Sequence, residues 1–270
     1  MTWLQALILG IVQGLTEFLP VSSSGHLTIF REVLGVDVGG DLTFEVTVHA
    51  ATVLATIVVF WKSIVSLFKG LFKFKYNDET DYICKILVAT VPILIVGVFF
   101  KDFVEEMFSS LWTVGGCLIV TAVLLFFSDM ASKRPAEFRG GNARNGISYK
   151  QALTVGLGQA LAVLPGLSRS GTTISTGLIC GVKREVVAQF SFLMVIIPIL
   201  GEMFLEVVGG GLAESSVGAL PLAVGFVSAF VTGLLACKAM LALVRKAKFK
   251  WFALYCLLMG VAVLVYLLVK

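Results

Sequence analysis

Six stretches of this 270-residue chain are apolar, or nearly so, over about the length that crosses a bilayer: residues 45–61, 83–100, 111–128, 186–208, 218–237 and 251–269. A membrane-spanning helix needs about 20 such residues, so each run predicts a span. Two other stretches are apolar but broken. Residues 3–30 are interrupted by Pro20 and by Ser22-Ser23-Ser24-Gly25-His26. Residues 151–182 are interrupted by Pro165-Gly166 and by Ser168-Arg169-Ser170-Gly171. With one inserted residue, the two breaks read alike: Leu-Pro, a short spacer, a serine cluster, then Ser-Gly. Each broken stretch is followed by three spans.

The cations orient these elements. All but four of the 21 lysines and arginines fall around 62–85, around 129–150, at Lys183 and Arg184, and around 238–250. The exceptions are Arg31, Lys101, Arg169 and Lys270. Cation-rich loops stay cytoplasmic, which leaves 31–44, 101–110 and 209–217 outside. The chain is then inside at residue 150 and inside again at 183. The residues between are too few for two full crossings, so a re-entrant hairpin follows. Its polar middle is tolerated at depth only inside protein or against a cavity. The likeness of the two breaks predicts a matching hairpin over 3–30, entering from outside.

The expected fold is an all-α polytopic membrane protein with an inverted-topology repeat, each half a re-entrant helical hairpin plus three transmembrane helices. Repeat 1 covers about 1–128, a cytoplasmic linker about 129–150, and repeat 2 about 151–270, in one membrane domain with both termini external. Such repeats place a polar site near the midplane, where broken helices meet.

Composition agrees. Hydrophobic residues make up 58% and charged residues 14%, with a mean hydropathy of +0.97. That excludes disorder, collagen, coiled coil and a disulfide scaffold. The net charge of +4 resides in the loops and does not point to nucleic acid. The five cysteines show no paired spacing and read as small core residues. The first cation is Arg31, so the apolar start reads as part of the mature protein and not as a signal peptide.

The breaks carry the chemistry. Gln13 and Glu17 share one helix face, and an ionisable group inside an apolar run is costly and usually functional. Three hydroxyls and an imidazole, Ser22, Ser23, Ser24 and His26, gather with Gly25 where a second half-helix begins. Free N–H groups there make an anion site. Arg169 is the one cation of its stretch and needs an anionic partner, either Glu17 across the repeat interface or a phosphate, which its planar fork suits. Ser168, Ser170 and Thr173 surround it. The set fits a phosphate or pyrophosphate and the groups to attack it. Glu45 and His49 read mostly as an i,i+4 pair that is structural or that supports the residues of a site. Gly156, Gly158, Gly177 and Gly181 read as close-packing positions, and Trp61, Trp112 and Trp251 as interfacial anchors.

Gln13-x-x-x-Glu17, Pro20-x-Ser-Ser-x-Gly25-His26 and Pro165-Gly-x-Ser-Arg-Ser-x-x-Thr173 resemble the signature of the bacterial undecaprenyl pyrophosphate phosphatase (bacitracin-resistance) family, along the whole chain. The first motif position varies between Glu and Gln in that family; Gln13 leaves Glu17 as the lone carboxylate. The resemblance implies hydrolysis of a polyprenyl pyrophosphate lipid, which recycles a carrier for cell-wall synthesis. It implies a divalent cation, Mg²⁺ or Ca²⁺, and a site opening to the outer face of the bacterial inner membrane, among membrane lipids. A homodimer is compatible with it. Ser23 is then an attacking candidate, with Glu17 or His26 withdrawing its proton. His26 is the competing nucleophile, Glu17 the metal ligand if one is needed, and Gln13, Ser22, Ser24, Gly25, Ser168, Ser170 and Thr173 bind substrate. A second reading is a transporter or flippase of a phosphorylated lipid or small anion, because inverted repeats with broken helices are also a transporter architecture.

Overall fold

The computed structural model describes residues 1–36, 41–108, 110–131, 143–209, 215–246 and 248–270. All regular structure among them is helical. The order is α1 (Trp3–Phe18), α2 (Ser23–Val33), α3 (Thr43–Val59), α4 (Trp61–Leu71), α5 (Asp78–Phe99), α6 (Lys101–Phe108) and α7 (Leu111–Ala131). A 3-10 turn at Arg144–Gly146 leads to α8 (Tyr149–Leu161), α9 (Arg169–Ile179), α10 (Arg184–Met194), α11 (Ile196–Val208), α12 (Ala219–Lys246) and α13 (Lys250–Val269). Residues 132–142, half of the linker expected over 129–150, lie outside the described residues.

Both hairpins are built by the same local rules. The Thr2 hydroxyl accepts from the Gln5 backbone, and the Gln5 side chain accepts from the Thr2 N–H, which starts α1 with a capping box. Ser148 and Gln151 start α8 identically. Each glutamine then donates its amide to the carbonyl at the far end of the next helix, Gln5 to Leu34 and Gln151 to Cys180. Each pair of helices therefore leaves from the end at which it entered. The next residues, Gly35 and Gly181, take left-handed φ values of +61° and +82°, as a helix-terminating turn requires. Gly181 is thus a turn residue, not the packing residue expected. At about 1.5 Å per residue, the 16 residues of α1 rise about 24 Å and the 11 of α2 about 16 Å, short of a bilayer core.

The two hairpins enter from opposite ends. Lys85 and Asp81, at the start of α5, form a buried ion pair that also binds the Arg144 carbonyl and the Asn145 amide, just before α8. The start of α1 lies at the other end, with Asp41 and the chain terminus. There Asp41 accepts from Ser215 and Ser216, and Lys270 donates to Glu32. Burial raises the Asp41 carboxyl, but bonds from Thr43, Ser215 and Ser216 outweigh it and hold the group well below the usual carboxylate range.

In register, the hairpins match with no insertion. Gln5 corresponds to Gln151, Gly10 to Gly156, Gln13 to Gln159, Ser22 to Ser168 and Gly25 to Gly171, all at one constant offset. The inserted residue expected from the two Leu-Pro pairs is corrected: Pro20 occupies the place of Gly166, not of Pro165.

Among the described residues, five helical segments are long and apolar enough to span: Asp78–Phe99, Leu111–Ala131, Arg184–Leu205 (which runs through α10 into α11), Ala219–Val244 and Lys250–Val269. Two expected spans differ in detail. The run at 45–61 ends at Val59, and the chain bends by 76° into α4. From Trp61 the sequence turns amphipathic, with Lys62, Ser63, Ser66 and Lys69 on an otherwise largely apolar helix, a pattern that favours a membrane surface over its core. The run at 186–208 breaks at Val195, because Pro198 has no N–H to donate to the Met194 carbonyl.

Small residues close the long seams. A Cβ on Gly10 would lie 2.5 Å from the Gly225 carbonyl oxygen on α12, and one on Gly156 would lie 2.2 Å from that of Ala89 on α5. These seams, α1 on α12 and α8 on α5, are equivalent in the two repeats. α7 packs along α13, where Gly115 and Gly260 let the backbones approach. Gly10→Ala and Gly156→Ala are each expected to destabilise the protein by about 1–3 kcal/mol through overpacking. Gly116→Ala, whose Cβ meets nothing within 4 Å, is expected to be neutral or stabilising. Thermal unfolding in detergent checks all three.

Candidate active site

The hairpins meet tip to tip. A Cβ on Gly25 would be 3.0 Å from Gly166 Cα, and one on Gly171 would be 3.4 Å from Pro20 Cβ, the same contact in its repeat-related copy. Ser170 Oγ donates across the junction to the Leu19 carbonyl at 3.1 Å. Each second half-helix starts on a serine: Ser22 Oγ accepts from Gly25 N–H and Ser168 Oγ from Gly171 N–H. Ser22 itself holds a positive φ of 72°. Two helix N-termini are thereby brought to the same place.

On this junction stands a carboxylate cluster. Glu17, at the end of α1, accepts a 2.5 Å hydrogen bond from Ser23 Oγ and a 2.9 Å bond from Gln13 Nε2. The Ser23 bond has the length of a charge-assisted O–H···O⁻ contact. His49 Nε2 on α3 lies 3.8 Å from the same Glu17 oxygen, while its Nδ1 donates to the Glu45 carbonyl. Glu17 and Arg169 line one cavity of about 20 Å³ with Thr52, Thr56, Ser170 and Ser191, beside Phe18 and Phe192. It has room for about one water molecule. Arg169 acts on the Glu17 charge from within that cavity. No ion pair within 4 Å joins the two, so the direct bridge to Glu17, one of the two partners the sequence offered for Arg169, is not made.

The structure separates the predicted residues into those facing the cavity and those behind it. Glu17, Arg169 and Ser170 line it, and Ser23 and Gln13 reach it through Glu17. Ser22 and Ser168 serve as caps, and Ser24 Oγ lies 3.4 Å from Ser22 Oγ. Thr173 is fully buried behind Arg169; it donates to the Arg169 carbonyl and meets Ser191 Oγ at 2.6 Å. His26 is 2% exposed and has both ring nitrogens engaged. Its Nδ1 donates to the Ser22 carbonyl at 2.7 Å, so its Nε2 accepts from the Tyr255 hydroxyl, also at 2.7 Å, with the rings stacked. The sequence reading did not single out His49 as a partner of Glu17. It treated Glu45 and His49 as one pair, whereas Glu45 turns away to Arg31.

A metal has a partial site. Among the described residues no three or more His, Cys, Asp or Glu groups gather to hold one. Glu17 is a lone carboxylate, and the neighbouring Gln13 carries a buried amide oxygen with no hydrogen-bond partner. That donor set is too small for a cage of protein ligands. It fits a hard cation whose other ligands are phosphate oxygens and water, the usual situation of Mg²⁺.

Fold and site together define a class: a multi-pass α-helical membrane protein whose two re-entrant hairpins enclose a hydroxyl–carboxylate pair and an arginine. Residues 6–262 match the family described as bacitracin resistance protein BacA, and the chain belongs to that family. An undecaprenyl-diphosphatase of Parabacteroides distasonis is 52% identical over 274 residues, covering 100% of both chains. One of Bacteroides thetaiotaomicron is 52% identical over 269 residues, covering 98% of this chain and 99% of its own. One of Christiangramia forsetii is 43% identical, covering 97% of each.

Tyr255→Phe removes the proton donated to a buried ring nitrogen. It is expected to cost about 1–3 kcal/mol of stability, read as a lowered melting temperature in detergent.

Proposed function

We propose that this protein is an undecaprenyl-diphosphatase, hydrolysing undecaprenyl pyrophosphate to undecaprenyl phosphate and inorganic phosphate. The observation that carries the reading is the 2.5 Å bond from Ser23 Oγ to Glu17 beside the cavity that holds Arg169. A serine hydroxyl is a weak nucleophile until a base takes its proton, and Glu17 is placed to take it. The Ser23 oxygen then forms a bond to the terminal phosphorus, the anhydride P–O bond breaks, and undecaprenyl phosphate leaves. Water hydrolyses the phosphoserine and releases inorganic phosphate. Arg169 and the N–H groups opening α2 and α9 stabilise the negative charge of the phosphoryl group in transfer. Ser170 offers a hydroxyl to a phosphate oxygen.

Between Ser23 and His26 as nucleophiles, the geometry favours Ser23. Its hydroxyl already contacts a base, while both His26 nitrogens are occupied. A bound Mg²⁺ or Ca²⁺ would supply Lewis-acid charge at the phosphates, held on the protein side by Glu17 and the Gln13 amide oxygen. The hydroxyl–carboxylate pair has no task in transport, so no observation favours the transporter reading.

In a bacterial plasma membrane, the end bearing the α4–α5 and α7–α8 connections is cytoplasmic by its cations, and the end bearing both termini is external. The substrate enters from the outer leaflet in this reading, as the family resemblance implies.

Purified protein in detergent is expected to release inorganic phosphate from undecaprenyl pyrophosphate. Ser23→Ala, Glu17→Gln and Arg169→Ala are each expected to lose at least 10²-fold in kcat. Folded variants with near-normal turnover would overturn the assigned roles. A chelator is expected to abolish release, and Mg²⁺ or Ca²⁺ to restore it; unchanged turnover after chelation would remove the metal from the reading. A tag after Lys270 is expected to be accessible to protease from outside intact spheroplasts.

A further inference from the structure

Thr121 breaks a habit of this protein's threonines. Thr16, Thr28, Thr56, Thr90, Thr154 and Thr232 each donate back to the carbonyl four residues earlier in their own helix. That is the default for a hydroxyl with no other partner in an apolar setting. Thr121, on α7 and 1% exposed, reaches instead to the second hairpin. Its hydroxyl donates to the Gly166 carbonyl at 3.2 Å and accepts from the Ser168 N–H at 3.0 Å.

Those two groups flank the turn that leads into Arg169. Gly166 has a φ of +89°, and a Cβ there would lie 2.4 Å from the Val114 carbonyl oxygen, so the turn lies directly on α7. Without Thr121, a backbone donor and a backbone acceptor would stand unpaired where water is scarce. Ser168 is the cap of α9 and Arg169 its first residue. One hydroxyl thus fixes the backbone on both sides of Leu167 and the start of the helix that carries the guanidinium. The repeat-related turn is held more weakly, by a 3.6 Å contact from the Cys256 thiol on α13 to the Pro20 carbonyl. A thiol is a poor donor.

We infer that Thr121 is a positioning residue for the phosphate site: it pins the Arg169 turn to α7 so that the guanidinium and the α9 N-terminus face the pyrophosphate. This rests on the phosphatase reading for the identity of the anion. The test is a graded series, Thr121→Ser, Thr121→Cys and Thr121→Val, with two readouts on purified protein of checked melting temperature. One is kcat and KM for phosphate release from undecaprenyl pyrophosphate. The other is binding of inorganic pyrophosphate by calorimetry, which needs no turnover.

Thr121→Ser is expected within about threefold of wild type in both. Thr121→Val is expected to weaken pyrophosphate binding and raise KM by about tenfold or more, the size of one lost hydrogen bond to a charged-site scaffold. Thr121→Cys should fall between, and if the valine variant does not fold, the serine–cysteine difference decides. Equal binding across the series, or a serine variant as weak as valine, would overturn the inference. If wild type binds pyrophosphate but does not hydrolyse the lipid, the phosphatase reading fails and the binding series still decides Thr121. If wild type neither binds nor hydrolyses, both fall.

Discussion

The contact on which the rest of the structure depends is the meeting of two hairpin tips, Gly25 on Gly166 and Pro20 on Gly171. Helices interrupted at this depth leave backbone groups that no water can satisfy. Everything nearby answers that constraint. Ser22 and Ser168 cap the second half-helices, Ser170 closes onto Leu19, and α7 and α13 supply side-chain donors to the two turns. Gly25 and Gly166 face each other where a Cβ would come within 3.0 Å of the opposing backbone, whereas the equivalent contact accommodates the ring of Pro20. Two helix N-termini then point into one small volume, and the positive ends of their dipoles make it a place for anions.

The scaffold is nearly symmetric, and the chemistry sits where symmetry is broken. Ser22 matches Ser168, Ser24 matches Ser170 and Gly25 matches Gly171, and these residues build the turns. Glu17 has Val163 as its counterpart, Ser23 has Arg169, and His26 has Thr172. One hairpin thus carries the carboxylate and the hydroxyl, and the other carries the cation. Separating them keeps Arg169 out of direct contact with Glu17. A guanidinium locked onto that carboxylate would compete with both substrate and Ser23. Gln13 and Gln159 are the same residue in two settings: beside Glu17 the first has a partner for its amide N–H, while both polar atoms of the second are buried without one.

His26 illustrates how tertiary packing assigns a role. In sequence it stands beside three serines and invites a catalytic reading. In the structure α13 places Tyr255 against it, and the two ring nitrogens are used to fix the first turn of α2. His49 does the reverse. It sits on an apolar helix with no motif around it, and only the packing of α3 against the first hairpin turns it toward Glu17.

The sequence by itself determined the order of the apolar spans, the two hairpins, their opposite entry and the residues of both motifs. Those follow from apolar length, cation placement and breaks in periodicity, which are local properties of the chain. It could not place the bend after Val59, since an amphipathic continuation of an apolar run carries no mark of its angle. It misaligned the repeats by matching Pro20 to Pro165, because a shared dipeptide outweighs register until capping bonds and φ angles fix it. Only the tertiary structure decided that Ser23, not His26, touches the carboxylate, that Arg169 stands off from Glu17, and that Thr121 belongs to the second turn. Each of these depends on contacts between helices far apart in the chain, where no spacing in the sequence records which side chain faces which.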